Sequence, residues 1–158
     1  MKKFLVLILI LFLTGCTQKS ITTTDVESLT NAYFNIFEYL YEFDGDKNDG
    51  VDYLAIDLSN IPLDDISELS RLIESYCEAE GYTYRESTFQ ELVDEGYIVN
   101  GGFVNGVFFD IYDIDSTGIG IECKISKYRG NLGGSGQTLF VQFVDGEWDI
   151  TSSTYWVS

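Results

Sequence analysis

FVNGVFFDIYDIDSTGIGIECKIS, Phe103 to Ser126, decides the fold class. Apolar and polar residues alternate along it with a period of two, the mark of strands with one buried face. Asn105-Gly106 stands between Phe103-Val104 and Val107-Phe108. It predicts a type I′ hairpin, because both residues tolerate the positive φ that such a turn needs. Val107 to Asp115 then reads as a long strand, turned by Ser116-Thr117-Gly118. Ile119, Ile121, Cys123 and Ile125 are expected on one face, with Glu122, Lys124 and Ser126 opposite. The same alternation puts Asp113 and Asp115 together and Asp110 on the other face.

Toward the C-terminus, Lys127 to Gly136 is a glycine-rich connection. Gln137 to Val144, the Asp145-Gly146 turn and Glu147 to Thr151 predict a second hairpin. Tyr155-Trp156-Val157 is a last strand or an apolar plug. Toward the N-terminus the period lengthens. Val26, Leu29, Tyr33, Ile36, Phe37 and Leu40 recur at helical spacing. They predict a helix from Asp25, extended by Tyr41 and Phe43 and stopped at Asp44-Gly45. Tyr53 to Ile56 is a short apolar segment. Ser59, Asn60 and Pro62 predict the start of a second helix, which carries Ile66, Leu69, Ile73, Tyr76 and Cys77 up to Gly81. Tyr82 to Arg85 reads as a strand. Thr88-Phe89-Gln90-Glu91 is a capping box that opens a third helix, to about Glu95. Helices followed by strands mean α+β, with two or three N-terminal helices packed on a curved antiparallel sheet.

The chain opens with Met1-Lys2-Lys3 and an apolar run, Phe4 to Leu13, too short for the roughly 20 residues of a membrane span. It suits the apolar core of an export signal. Leu13-Thr14-Gly15-Cys16 follows. These residues match every position of the lipobox L-[AST]-[GA]-C, and the segment resembles the signal of bacterial lipoproteins. The resemblance implies cleavage before Cys16 and a diacylglycerol on its sulfur. Two acyl chains hold a protein stably at a bilayer where one does not. The expected organisation is a signal peptide over 1–15, a lipidated cysteine and tether over 16–24, and one α+β domain over 25–158. The expected location is the outer face of a cell membrane, reached through the lipid on Cys16.

The chain has 26 acidic and 9 basic residues, no histidine and a net charge of −17. Two of the basic residues precede Cys16, so the processed chain would hold seven against 26, or −19. Such a charge excludes nucleic acid as a partner. Without histidine there is no Ser-His-Asp or Cys-His catalysis, and the commonest general base is missing. Two separated cysteines without histidine do not make a zinc site. Cys77 and Cys123 fall on apolar faces, so buried thiols are expected over the bridge that export would permit. No carboxylate pair stands out as a hydrolytic acid and base. The expectation is a non-enzymatic binding or accessory module whose partner is an exported protein or a small ligand.

Two stretches offer candidate sites. DGDKNDGVD presents Asp44, Asp46, Asn48, Asp49 and Asp52 as oxygen ligands for calcium. It resembles an EF-hand loop but places Gly50 at the seventh position and Ala55 at the twelfth. The alternative is a solvated acidic turn. No cofactor other than calcium is expected. KYRGNLGGSG places Lys127 and Arg129 among four glycines, where they could hold a carboxylate or phosphate. The alternative is a twisted connection with Arg129 paired to a carboxylate.

Lys127-Tyr128-Arg129, Leu132-Gly133, Gly136, Asp145-Gly146, Trp148, Trp156 and Ser158 together resemble a pattern of small uncharacterised bacterial lipoproteins. That group carries no assigned activity. Its helix-then-sheet order is similar to nuclear-transport-factor-like or cystatin-like folds, which would give a concave face lined by aromatics with Arg129 near its rim. Three readings follow: a binding module, a calcium-dependent surface module using the 44–52 loop, and a carboxylate-based hydrolase.

Overall fold

A computed structural model describes residues 23–117, 120–130 and 133–157. The export segment, Cys16 and most of the tether, Gly118, Ile119, Leu132 and Ser158 lie outside the described residues. Helix α1 spans Thr23–Glu42, and a short 3-10 turn spans Gly45–Asn48. Strand β1 is Tyr53–Asp57, helix α2 is Ser67–Glu80, strand β2 is Thr83–Glu86 and helix α3 is Phe89–Asp94. The small strands β3 and β4 are Ile98–Val99 and Gly102–Phe103. Four long strands follow: β5 Gly106–Thr117, β6 Gly120–Tyr128, β7 Gly134–Val144 and β8 Glu147–Val157.

The fold is α+β, with helices packed on a mostly antiparallel sheet ordered β2-β1-β5-β6-β7-β8. β5 to β8 form an antiparallel meander. β1 instead pairs in parallel with both β2 and β5. α1 and α2 lie on one face, over the main core. Phe37 stands 5.4 Å from Tyr76 on α2 and 6.1 Å from Phe109 on β5, joining both helices to the sheet. Ile36, Leu40, Leu54, Ile56, Ile73, Phe109, Ile125 and Leu139 are all 0% exposed there. Each such side chain contributes about 1.5–3 kcal/mol through burial. Cys77 and Cys123 are free and buried in this core, and burial pushes both thiols up to about 12.

A smaller cluster of Tyr53, Ala55, Leu92 and Phe108 sits on the opposite face, under α3 and the β3–β4 pair. α3 starts with the expected capping box: Thr88 accepts from the Glu91 amide, and Glu91 accepts from the Thr88 amide at 2.8 Å. Thr88→Ala is expected to cost about 1 kcal/mol, read as a lower urea midpoint with an unchanged slope.

Three expectations are corrected. Asn105-Gly106 makes no hairpin. The tight turn falls at Asn100-Gly101, where both residues have positive φ, and joins β3 to β4. Gly106 instead begins β5 beside β1, and the Tyr53 ring lies where its side chain would be, 2.0 Å from an added Cβ. The second helix starts at Ser67, not Pro62, because Asp65 Oδ1 accepts from the Ser67 amide and holds the entry turn. A bulge at Asp113, with φ of 50°, shifts the register of β5. Asp115 therefore pairs with Glu122 on the same face as Asp110 and Tyr112. Of the two readings of Tyr155 to Val157 the strand holds: they end β8, which is continuous from Glu147.

Candidate functional site

The two stretches singled out in the sequence meet at the C-terminal end of α1. Lys127 follows Ile121, Cys123 and Ile125 on the helix-facing side of β6 and is 0% exposed. Its Nζ donates to the carbonyls of Tyr41, at 2.9 Å, and Phe43. It also stands 4.9 Å over the Phe109 ring. These carbonyls are among the groups a helix end leaves unpaired, and a cation there meets the negative end of the dipole. Burial pulls the Lys127 ammonium down to about 7, against the nearby Asp44 carboxylate, which favours the charge.

Asp44 is occupied as well. Its Oδ2 takes Lys47 and a 2.7 Å hydrogen bond from Ser135 on β7, and these bonds hold its carboxyl below the usual range. Arg129 donates to the Asp49 carbonyl at 2.6 Å. Asn48 is buried and donates to the Tyr41 carbonyl at 2.8 Å, and Asp52 accepts from Asn105 at 3.0 Å. Asp46 joins no acidic cluster: among the described residues no group of three or more His, Cys, Asp or Glu could hold a metal ion. The 44–52 loop is thus fastened to the sheet by Arg129 and Ser135, and the end of α1 just before it by Lys127. Neither the calcium ligands nor the two cations are gathered into an open site, and Arg129 faces the loop, not the rim of an aromatic face.

The other face of the sheet differs. Beyond α3 and β3–β4, the register aligns Asp57 of β1, Asp110 of β5, Ser126 of β6, Gly136 of β7 and Trp156 of β8 in one row. The neighbouring row runs Ala55, Phe108, Tyr128 and Gly134. Aromatic rings form a chain across these strands: Phe103 to Phe108 at 5.9 Å, Phe108 to Tyr128 at 6.5 Å and Tyr128 to Trp156 at 5.9 Å. Gly136 is required here. An added Cβ would lie 2.6 Å from the Trp156 indole and 2.5 Å from the Ile125 carbonyl oxygen, so only glycine lets the indole lie against the sheet.

Polar groups interrupt this aromatic surface. Ser126 is 0% exposed, and its Oγ has no hydrogen-bond partner; Asp110 Oδ1 is also buried without one. Burial, then the charge of Asp57, raises the Asp110 carboxyl to about 6, against a backbone hydrogen bond from Ile111 that favours the charge. Asp57 itself is held by the Ser59 amide at 2.9 Å. Lys124, two residues before Ser126, is paired with Asp113 at 2.7 Å. The row therefore offers unsatisfied acceptors, carboxylates on neighbouring strands and a wall of rings.

Sequence reasoning missed this constellation. Its parity was visible, since Phe108, Asp110 and Tyr112 alternate with the core-facing Val107, Phe109 and Ile111. Hollows among the described residues lie elsewhere. One, of about 390 Å³, lies between Tyr53, Arg85, Tyr97 and Asn105, where Arg85 already stacks on Tyr97 at 4.2 Å and pairs with Glu95. Another, of about 580 Å³, lies between Asn31 and Asn35 of α1 and the β7–β8 turn.

No family model, no curated protein and no solved structure matches this chain. The class that its own geometry defines is an α+β domain with one helix-covered sheet face and one partly open face.

Proposed function

We propose that this chain is a non-enzymatic binding module, held on the outer face of a cell membrane by a lipid on Cys16, that takes its ligand on the open face of the sheet. The observation that carries the reading is the pair of buried, unpartnered acceptors, Asp110 Oδ1 and Ser126 Oγ, beside a row of aromatic rings. Leaving a buried polar group unpaired costs about 1–3 kcal/mol, and a ligand that supplies a donor recovers it. Holding is favoured over cutting. Asp57 and Asp110 are direct partners on adjacent strands, so they rise from one wall. Carboxylate hydrolases place their pair on either side of the bond to be broken. Among the described residues no helix is long and apolar enough to cross a membrane. The anchoring part of the reading rests on the lipobox.

The anchor is tested by fractionating cells that express the full chain or Cys16→Ser. The wild type is expected in the membrane fraction, soluble only in detergent, and the variant in the soluble exported fraction. The same distribution for both would remove the anchor. The binding reading is tested by the fluorescence of Trp156, isolated in a Trp148→Phe chain. It should respond to at least one class of small probe, neutral or charged. A face that answers to none is not a ligand site.

A further inference from the structure

The open face has a chemical preference, written in which groups are unsatisfied. Both unpartnered atoms, Asp110 Oδ1 and Ser126 Oγ, can accept a hydrogen bond. The neighbouring carboxylates Asp57 and Asp110 repel each other across the β1–β5 pairing. A positive charge between them relieves that repulsion. Among the described residues, the cations on this face are already engaged, Lys124 with Asp113 and Arg85 with Glu95 and Tyr97. The surrounding groups include the rings of Tyr128 and Trp156, and ring faces attract weakly hydrated cations. A hard metal ion wants six to eight oxygens, and no group of three acidic side chains is gathered among the described residues. Aromatic walls suit an organic body instead.

We propose that the open face binds an organic cation bearing N–H donors, a primary ammonium on an apolar body. Its nitrogen pairs with the partly exposed Asp110 carboxylate beside the covered Ser126 hydroxyl, and its body lies against Tyr128 and Trp156. This rests on the reading of that face as a ligand site and names the ligand's class. The net charge of −17 adds long-range attraction for such a ligand.

The binding should depend on pH. The charged and titratable groups on this face around Asp110 are Asp57 on β1, Tyr112, Asp113 and Asp115 on its own strand, and Glu122, Lys124 and Tyr128 on β6. Asp110 itself is raised to about 6. Below that pH a cation must displace the Asp110 proton, so affinity falls as the solution is acidified and binding releases a proton.

The experiment uses benzylammonium, its neutral analogue benzyl alcohol, and benzyltrimethylammonium, which lacks N–H donors. Each is titrated into the wild-type chain, Asp110→Asn and Trp156→Phe, with calorimetry in buffers of differing ionisation enthalpy. Far-UV circular dichroism confirms that each variant is folded. Trp148, on the helix-covered side, is replaced by phenylalanine in a parallel series so that fluorescence reports Trp156 alone. Benzylammonium is expected to bind at least about tenfold more tightly than either analogue, the effect of one charge-assisted hydrogen bond. Asp110→Asn should remove that preference, and in the wild type, but not in this variant, more protons should be released on binding at about pH 5 than at pH 7. Equal binding of the ammonium and the alcohol, abolished in Trp156→Phe, would overturn the cation preference while leaving the face a ligand site. An ammonium preference that survives Asp110→Asn would also overturn it. Failure of all three probes at millimolar concentration would overturn both the preference and the reading on which it rests.

Discussion

Lys127→Ala is expected to lower the stability of the domain by about 4 kcal/mol, a fall in melting temperature on the order of 10–15 °C. The substitution does three things at once. It leaves the Tyr41 and Phe43 carbonyls at the end of α1 without their donor. It opens a cavity against the Phe109 ring. It also removes a positive neighbour of Asp44. Lys127→Met should recover part of the loss, because it restores packing but not the donors. The sign of the pH effect is fixed. Burial depresses the folded-state value from 10.5 to about 7, so the folded chain binds this proton less well than the unfolded chain. The contribution is full above pH 10.5 and is lost as pH falls through about 7. Urea unfolding of the wild type and Lys127→Met across that window should show their difference shrinking toward acid. A constant difference, or an Ala variant as stable as the wild type, would show that Lys127 does not fasten α1.

Asp110→Asn is expected to act in the opposite direction and stabilise the fold by roughly 2 kcal/mol at mildly alkaline pH. The Asp110 carboxyl is raised from 3.8 to about 6 by burial and Asp57, so the folded state disfavours its charged form. Two units correspond to about 3 kcal/mol, discounted because the side chain is partly exposed. For a raised carboxyl the stabilising contribution is full below 3.8 and is lost as pH rises through about 6. The advantage of the amide should therefore vanish toward pH 4 and be complete above pH 7. Urea titrations at both ends measure it. An amide no more stable than the acid at alkaline pH would mean that Asp110 is not strained. A gain in stability combined with a loss of ligand would be the usual trade at a binding site.

The helices were legible in the sequence because their apolar spacing and the Thr88 capping box are local signals. So were the four long strands. The fate of Lys127 was legible too: it continues the Ile121-Cys123-Ile125 alternation onto the core face, though the glycines after it suggested an open loop. The choice between two Asn-Gly turns was not. NGGFVNG offers Asn100-Gly101 and Asn105-Gly106, with equal local chemistry. The tie is broken by Tyr53, about fifty residues away, whose ring needs Gly106 beside it in a parallel pairing that no neighbouring residue announces. The bulge at Asp113 is equally silent, since a non-glycine residue with positive φ is held there by its surroundings. Asp110 and Ser126 could be assigned to one face once that bulge was known. Their lack of partners depends on chain packing from β1 to β8, which sequence alternation does not encode.

Helix α1 is clasped at both ends, and this gives the domain a mechanical polarity. Near its start, the Ser28 carbonyl accepts from the Trp148 indole at 2.9 Å; at its end, Lys127 grips two carbonyls. The 20-residue helix is about 30 Å long, so the clasps are separated by most of its length. A force applied at the N-terminus would peel the helix from the sheet one contact at a time, breaking the Trp148 bond before it reaches Lys127. A pull on the C-terminus would open the edge strand β8 from β7 starting at the Val157–Ser135 pair and would leave the Lys127 clasp untouched. The end of α1 that Lys127 holds is thus the last part of the helix to yield from either side.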